Sequence, residues 1–216
     1  MSISEPRRKL TQAERIAISD NNMLQAASEL ILEVGSANTT LKEVGERAGY
    51  SRGLASSRFG SKEALFLRLI VLHREIWAEA IDKHVQDKTG LAAIMARVDA
   101  VEELFLQEPD TIKAIYTLWF ESVGRTSSMR EQLMKFHEET RSAIAHHVQQ
   151  GIESGEILPH ANPRLFAIDY FSQIFGCIYQ WLISPEEVSF SDSIRSLRAL
   201  CLYALTKAES DYKDHN

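Results

Sequence analysis

Apolar residues recur at spacings of three and four along most of the chain, and no long segment alternates between apolar and polar residues. Such spacing places side chains on one face of an α-helix, whereas alternation would indicate a strand. Proline and glycine are scarce within these periodic segments, with 5 and 10 among 216 residues. The 44% of apolar residues is enough for a substantial core. We therefore predict an all-α protein of about nine helices.

Breaks in the apolar pattern define the predicted helices. The first begins at Asp20 and ends before Gly35, because glycine commonly follows a helix C-terminus. Two short helices follow, Leu41 to Ala48 and Arg52 to Phe59. Longer helices are predicted over residues 62–85, 90–107, 110–124, 128–154, 163–183 and 191–208. Residues 1–15 are polar and include four arginine or lysine residues, so they predict a flexible basic arm.

Residues at the predicted helix starts agree with these bounds. Thr40 and Glu43 have the spacing of a capping box, in which each side chain accepts a free backbone N–H. Ser51 and Ser61 stand where an N-cap is expected for the next two helices. Asn162-Pro163 is a strong start signal, since asparagine caps and proline suits the first helical position.

Residues 49–62, GYSRGLASSRFGSK, have features of three kinds of site. Gly49-Tyr50-Ser51-Arg52-Gly53 fits the G-x-S-x-G nucleophile elbow of serine hydrolases, but a capped helix rather than a strand precedes it. A phosphate-binding loop requires G-x-x-x-x-G-K-[ST], whereas Gly53 and Gly60 are seven residues apart and Lys62 follows Ser61. The third interpretation is a helix-turn-helix, in which two short helices are joined by a glycine turn.

The composition of the second short helix suits contact with DNA. Gly53, Ala55, Ser56 and Ser57 are small enough for the backbone to approach the bases and phosphates of a major groove. No acidic residue occurs within residues 49–62. Residues 1–62 hold nine basic and seven acidic residues, a net charge of +2, whereas residues 63–216 hold fifteen and twenty-three, a net charge of −8. This asymmetry favours polyanion contact by the N-terminal part.

The pattern from Asp20 to Phe66 resembles the N-terminal region of the TetR family of bacterial transcriptional regulators. The resemblance is carried by Met23-Leu24, Ala26-Ala27, Leu30, Gly35, Thr39-Thr40, Leu41, Val44, Ala48-Gly49, Ser51, Gly53, Phe59 and Lys62. It implies a three-helix DNA-binding domain, a linking fourth helix, a helical ligand-binding domain, and a dimer formed by the last two helices. We therefore predict a DNA-binding domain and basic arm over residues 1–62, and a ligand-binding and dimerisation domain over residues 63–216.

The chain departs from the family at two positions of the second short helix. Most members carry a Tyr-x-His-Phe pattern whose tyrosine and histidine contact phosphates, and here Ser56 and Arg58 occupy the matching positions. Arg58 can contact a phosphate as a permanent cation with a bidentate fork. Ser56 lacks the reach of a tyrosine, so it permits a closer approach or contacts a base.

We predict eleven DNA-contacting residues in and around the two short helices. Arg52 suits guanine O6 and N7 or a phosphate. The free N–H groups at the start of the first short helix favour phosphate, and Lys62 is poorly placed for its helix dipole and therefore suits a phosphate contact. Tyr50 has two interpretations, a phosphate contact or packing of the turn. The full set is Thr39, Thr40, Lys42, Tyr50, Ser51, Arg52, Gly53, Ser56, Ser57, Arg58 and Lys62.

The C-terminal region predicts a binding pocket rather than a catalytic site. Residues 137–141, HEETR, lack the second histidine of the H-E-x-x-H zinc motif, and we predict no catalytic residue, metal ligand or cofactor. Aromatic residues are concentrated in these helices, which indicates a mostly apolar or aromatic small-molecule effector. The predicted effector contacts are Phe105, Tyr116, Trp119, Phe120, Phe136, His137, Tyr170 and Gln173. The alternative function is an enzyme acting on a small molecule in this pocket.

These observations predict a homodimeric repressor that a small-molecule effector releases from a palindromic double-stranded DNA operator. The dimer is expected to form through the last two helices, whose apolar faces a two-fold seam would bury. The N-terminus has no signal-peptide run and no segment suits a membrane helix, so we predict a cytoplasmic protein without a membrane partner. Cys177 and Cys201 lie in apolar helical patterns and are predicted to be buried thiols.

Overall fold

A computed structural model describes residues 10–107, 109–124 and 127–207. Within these ranges the chain forms nine α-helices and no strand, which confirms the all-α prediction. The helices are α1 (Gln12–Val34), α2 (Leu41–Arg47), α3 (Leu54–Phe59), α4 (Lys62–Val85), α5 (Gly90–Gln107), α6 (Pro109–Ser122), α7 (Ser128–Ser154), α8 (Pro163–Ile183) and α9 (Phe190–Thr206). Each helix overlaps a segment that the apolar spacing predicted.

The first helix begins at Gln12 rather than at Asp20. Its N-cap is Thr11, whose hydroxyl accepts the Glu14 N–H at 3.2 Å, while the Glu14 carboxylate accepts the Thr11 N–H at 2.7 Å. This capping box satisfies two N–H groups that would otherwise lack partners. The prediction of a flexible arm is therefore wrong from Gln12 onward, and residues 1–9 lie outside the described part of the chain.

The starts of α2 and α3 differ in detail from the prediction. The Thr40 hydroxyl accepts the Glu43 N–H at 3.2 Å and donates to the Glu43 carboxylate at 2.7 Å, so only half of the reciprocal box forms. The predicted Ser51 cap is wrong, because α3 begins at Leu54 and its N-cap residue is Gly53. The Leu54 N–H instead donates to the Ser51 backbone carbonyl at 3.0 Å, which closes the turn before α3.

Two later caps are confirmed. The Ser61 hydroxyl accepts the Ala64 N–H at 3.1 Å at the start of α4. At the start of α8, the Asn162 side-chain oxygen accepts the N–H groups of Arg164 and Leu165 at 3.1 and 3.0 Å. Pro163 occupies the first helical turn, where its missing N–H costs no hydrogen bond.

The helices form two compact units. Unit 1 comprises the described residues up to Leu72 together with Asp110–Val123, and it therefore includes α1 to α3, the first part of α4 and nearly all of α6. Unit 2 comprises His73–Pro109 and the described residues from Gly124 onward. The predicted limit of the DNA-binding domain after residue 62 stays a prediction, because compactness does not identify the residues that bind DNA.

Each unit has its own apolar core. In unit 1 the fully buried side chains include Met23, Leu24, Val44, Ala55, Leu65, Ile70, Ile115 and Leu118. In unit 2 they include Ile94, Val98, Ile144, Val148, Ile174, Ile178, Ile194 and Leu197. Cys201 is buried as predicted, whereas Cys177 is only half-buried, and neither forms a disulfide. Among the described helices, none combines the length and the apolarity required to cross a membrane.

Candidate nucleic-acid interface and effector region

A close backbone approach joins α2 to the turn before α3. The Tyr50 N–H donates to the Gly45 carbonyl at 2.9 Å, and Gly49 has a φ of +78°, the left-handed region that favours glycine. Gly45 lies inside α2, and a Cβ atom there would stand 2.9 Å from the Ser51 carbonyl oxygen. This contact requires glycine, and sequence reasoning missed it although a glycine within a helix was the available signal.

The exposed face of α3 carries most of the predicted DNA contacts. Ala55 is fully buried, so this residue anchors α3 in unit 1 rather than lining the outer surface, which corrects its expected role. The exposed residues around it are Ser51, Arg52, Gly53, Ser56, Ser57 and Arg58. We call these exposed small and basic residues of α3 and of the turn before it the α3 face. No acidic residue belongs to the α3 face.

The threonine residues before α2 are occupied by local hydrogen bonds. Thr39 is fully buried and its hydroxyl donates to the Gly35 carbonyl at 2.9 Å, so any DNA contact at this position is left to its main chain. Thr40 is the N-cap of α2. Lys42 is exposed and makes no hydrogen bond or ion pair with the described part of the chain. Lys42 is therefore available to an anion from outside.

Acidic residues from α1 and α2 pair with both arginines of the α3 face. Arg52 forms an ion pair with Glu46, and its side chain is 73% exposed. The Arg58 Nε lies 2.9 Å from the Asp20 carboxylate, and both side chains are 30% exposed. Sequence reasoning predicted the cations but missed these carboxylates, which lie on other helices. The exposed Arg52–Glu46 pair contributes about 0–1 kcal/mol, so a phosphate can compete for Arg52. The Arg58–Asp20 pair is partly buried, with the Asp20 Oδ1 shielded from solvent, so a phosphate has to displace a stronger interaction there.

Lys62 has a structural partner that the sequence did not reveal. Its ammonium group donates to the backbone carbonyls of Ser36 and Ala37 at 3.1 and 2.8 Å. These bonds hold the loop between α1 and α2 against the start of α4, within unit 1. A cation at a helix N-terminus is unfavourable for the helix dipole, and these two hydrogen bonds compensate for that cost. Phosphate contact by Lys62 stays a prediction.

Tyr50 in the turn also has a partner within unit 1. Its hydroxyl accepts a hydrogen bond from the Asn22 side-chain amide at 3.1 Å. The bond joins the turn to α1 and leaves the hydroxyl hydrogen available as a donor. Packing and phosphate contact, the two interpretations of Tyr50, are therefore compatible.

The eight predicted effector residues divide between the two units. Tyr116, Trp119 and Phe120 lie on α6 in unit 1, where the first two are buried and Phe120 is 48% exposed. The Tyr116 and Trp119 rings lie 4.9 Å apart. Two residues after Trp119 on α6, Glu121 accepts a hydrogen bond from the Ser36 hydroxyl in the loop that Lys62 holds. Unit 1 thus connects predicted effector residues to the region of the α3 face.

The other five predicted effector residues belong to unit 2, where Phe105, Phe136 and Tyr170 are buried and Gln173 is exposed. Phe105 stacks on Phe190 with centroids 3.5 Å apart and meets Trp181 edge-on at 4.5 Å. Its ring is therefore part of the packed interior of unit 2.

His137 is half-buried, with its ring 4.8 and 5.3 Å from the rings of Phe171 and Phe175. Burial, and secondly the Arg141 charge, lower the pKa of His137 to about 4. The imidazole is therefore neutral at pH 7, and it can act in this aromatic environment as a hydrogen-bonding group without a net charge.

Comparisons with known proteins agree with this geometry. A sequence model described as "Bacterial regulatory proteins, tetR family" matches residues 23–69, which contain α2, the turn and α3. The uncharacterized HTH-type transcriptional regulator YfiR of Bacillus subtilis is 25% identical over 187 residues, which cover 87% of this chain and 91% of YfiR.

Two solved structures share the fold. SmeT in complex with triclosan has a TM-score of 0.71 at 17% identity, covering 88% of this chain and 93% of SmeT. SmeT is described as the repressor of the Stenotrophomonas maltophilia multidrug efflux pump SmeDEF. The fatty acid degradation regulator FadR from Bacillus halodurans has a TM-score of 0.73 at 13% identity, covering 90% of this chain and 97% of FadR.

The short paired helices, their glycine turn and the matched segment define a helix-turn-helix transcriptional regulator. Residues 23–69 match the TetR family of bacterial regulators, which confirms the resemblance drawn from the sequence.

Proposed function

We propose that this regulator is a ligand-responsive repressor that binds a palindromic operator as a homodimer. The observation that carries the proposal is the α3 face, on which Arg52 and Arg58 flank small exposed residues with no acid among them. Such a surface allows the helix backbone to enter a major groove while cations contact phosphates or guanine. Lys42 adds an unoccupied exposed cation at the start of α2.

Release from DNA would follow from a shift between two arrangements of the dimer. Two α3 helices reach successive major grooves only if they lie about 34–36 Å apart. An effector that binds more tightly to another arrangement lowers the DNA affinity by the ratio of its two affinities. SmeT, whose fold this chain shares, is described in complex with triclosan, which supports a small-molecule effector.

Selection of bound fragments from random DNA by the full chain tests the DNA-binding part of the proposal. We expect a recovered consensus with two-fold symmetry. Arg58→Ala should weaken binding to all sequences and reduce the salt slope by about one, whereas Arg52→Ala should cost about 1–3 kcal/mol and relax one base position if it reads guanine. Arg195→Ala is a matched control, because Arg195 is an exposed arginine of unit 2. No enrichment of any sequence would refute the proposal.

A thermal-shift screen followed by DNA-binding titration tests the effector part. Compounds that raise the melting temperature of the full chain are added to the complex with the selected operator. We expect some of these compounds to lower the affinity for the operator. The same compounds should lower the affinity for unrelated DNA by a smaller factor. If every stabilising compound leaves operator binding unchanged, the repressor is not released by ligands of that set.

A further inference from the structure

Unit 1 contains a groove that shares Arg58 with the α3 face. The groove has a volume of about 610 Å³, which is typical of small-molecule sites. It is lined by one face of α1, by Arg58 and Phe59 at the end of α3, and by Ala64 and Arg68 near the start of α4. All these residues belong to unit 1. We call this cavity the unit 1 groove. None of the eight predicted effector residues lines it.

The first half of α1 supplies one wall of the unit 1 groove. The α1 residues that line it are Ala13, Ile16, Ala17, Asp20, Asn21 and Leu24. Their helical spacing places them on one face of α1. The first three lie in the turns before Asp20, where the sequence pattern predicted no helix. The groove therefore depends on the capped start of α1 at Gln12.

The inner surface of the groove is apolar. Leu24 is only 2% exposed, and Ile16 and Phe59 are half-buried. Ala17 of α1 and Ala64 of α4 are exposed, and their short side chains leave the space between the helices open. Apolar surface of this kind favours the hydrocarbon part of a ligand, because contact with it removes that part from water.

The charged side chains at the groove favour an anion. Arg58 and Arg68 contribute two positive charges, against one negative charge from Asp20. The Asp20 carboxylate lies 2.9 Å from the Arg58 Nε, so an arginine already offsets its charge. The other N–H groups of the Arg58 guanidinium can donate to a second acceptor. A ligand with a single negative charge would therefore neutralise the net charge of the lining residues.

We propose that the unit 1 groove binds a small amphipathic monoanion through the guanidinium groups of Arg58 and Arg68. The apolar body of the ligand lies against Ile16, Leu24 and Phe59. A guanidinium presents parallel N–H donors that match the two oxygens of a carboxylate. The single net positive charge of the groove favours a carboxylate over a doubly charged phosphate ester, and two arginines disfavour a cation.

Occupation of the groove would weaken DNA binding by direct competition. A ligand that holds the Arg58 guanidinium withdraws it from the phosphate contact proposed for the α3 face. This route acts within unit 1 and requires no change in the spacing of two α3 helices. The effect on DNA rests on the proposed function, whereas binding of the anion to the groove does not.

Isothermal titration of the full chain with three ligands of the same shape tests the preference for an anion. The probes are 2-naphthoate, its uncharged amide 2-naphthamide, and the cation 2-naphthylmethylamine. We expect the acid to bind about tenfold or more tightly than the amide, because hydrogen bonds to a charged group are the stronger ones. The amine should bind more weakly than the amide. An amide or amine that binds as tightly as the acid would overturn the inference.

Two neighbouring substitutions on α1 locate the binding site. Ala17→Phe places a ring inside the groove, whereas Ile18→Phe places the same ring at a residue that is 45% exposed and does not line the groove. Both positions are on the surface, so both variants should fold. We expect the affinity for 2-naphthoate to fall about tenfold or more in Ale17→Phe only, because the filled volume excludes the ligand. Equal affinities of the two variants would place the ligand elsewhere.

Arg68→Gln assigns the charge preference without altering a predicted DNA contact. It should reduce the ratio of acid to amide affinity to about one third or less, since one charged donor is lost. Arg68 is exposed, so this variant tests the site even if Ala17→Phe does not fold. Arg195→Gln is the matched control, because it removes an exposed arginine of unit 2. Retention of the full preference in Arg68→Gln would contradict the assignment.

Operator binding separates this inference from the proposed function. We expect 2-naphthoate to lower the operator affinity of Ile18→Phe but not that of Ala17→Phe. If the acid binds in the groove and the operator affinity stays constant, the binding site stands and the competition at Arg58 is refuted. If no operator can be selected, the proposed function fails, while the acid preference and its loss in Ala17→Phe still decide the site.

Discussion

The DNA phosphate contact that we propose for Arg58 would compete with a carboxylate of the same chain. Asp20 holds the Arg58 Nε at 2.9 Å in the free protein. Asp20→Asn removes that competitor and one repulsive charge near the DNA, so we expect operator affinity to rise about fivefold, the upper end for a surface ion pair, because this pair is only partly exposed. Fluorescence anisotropy at fixed salt measures the change.

The matched control for Asp20→Asn is Glu33→Gln. It also removes one carboxylate from α1, but Glu33 pairs with Arg47, at 2.7 Å, outside the α3 face. We expect Glu33→Gln to alter operator affinity by a smaller factor than Asp20→Asn. Equal effects of the two variants would show that only the total charge matters and that Asp20 does not restrain Arg58.

At the level of helices and turns, Gly45 limits how closely α2 can approach the turn before α3. A Cβ atom at this position would stand 2.9 Å from the Ser51 carbonyl oxygen, which belongs to the backbone and cannot rotate away. Gly45→Ala should therefore destabilise the folded chain by about 1–3 kcal/mol, the range for an overpacked buried site. Urea denaturation of the full chain, followed through a probe attached near α3, measures this loss of stability.

Gly53→Ala is the control for Gly45→Ala. A Cβ atom at Gly53 would meet nothing within 4 Å, and its φ of −89° is available to alanine. The substitution restricts the unfolded chain, so we expect stability to be unchanged or to rise by up to about 1 kcal/mol. A loss for Gly53→Ala as large as that for Gly45→Ala would mean that the close approach to Ser51 is not the cause.

The same elements indicate what the sequence could predict. Apolar spacing located all nine helices within the described residues. In a helix that buries one face, apolar residues must recur at spacings of three and four. It missed the start of α1, where the Thr11–Glu14 capping box was readable but the residues after it are mostly polar. The partners of Arg58 and Lys62 come from distant positions in the chain. Pairings of this kind depend on helix packing, which periodicity within one helix does not specify.

For the molecule as a whole, a buried histidine should make stability depend on pH. His73 is 3% exposed, and burial lowers its pKa from 6.5 to about 4. Between pH 6.5 and about pH 4, His73 binds a proton in the unfolded chain but not in the folded chain. The resulting stability is complete above about pH 6.5 and falls as pH decreases to about 4, by a total of about 3 kcal/mol.

Chemical denaturation of His73→Leu and the unaltered chain at several pH values measures this contribution. Carboxylates also destabilise the fold in acid, so the informative quantity is the difference between the two pH profiles. We expect the variant to lose less stability between pH 6.5 and pH 4. His160→Leu, which removes an exposed histidine, provides the control. Parallel profiles for all three proteins would contradict the role assigned to His73.

The proposed dimer depends on apolar side chains that a single chain leaves uncovered. Leu165, Ile168, Tyr179 and Ile183 of α8 are 43–65% exposed, and Leu200 and Tyr203 of α9 are 49% and 46% exposed. The α8 residues repeat at helical spacing across Ser172 and Gly176, and a Cβ atom at Gly176 would meet nothing within 4 Å. Small residues between larger ones allow two helices to pack closely, and a two-fold axis would bury each stripe against its copy.

Ile168→Glu should therefore convert the dimer to a monomer, because it places a charge in an interface that would otherwise exclude water. Sedimentation velocity should show the halved mass, and operator affinity should fall by more than tenfold, since each half-site would be bound independently. Leu106→Glu is the control, because Leu106 is an equally apolar residue of α5 that is 63% exposed. A monomeric unaltered chain that still binds a two-fold operator tightly would show that dimerisation through α8 and α9 is not required.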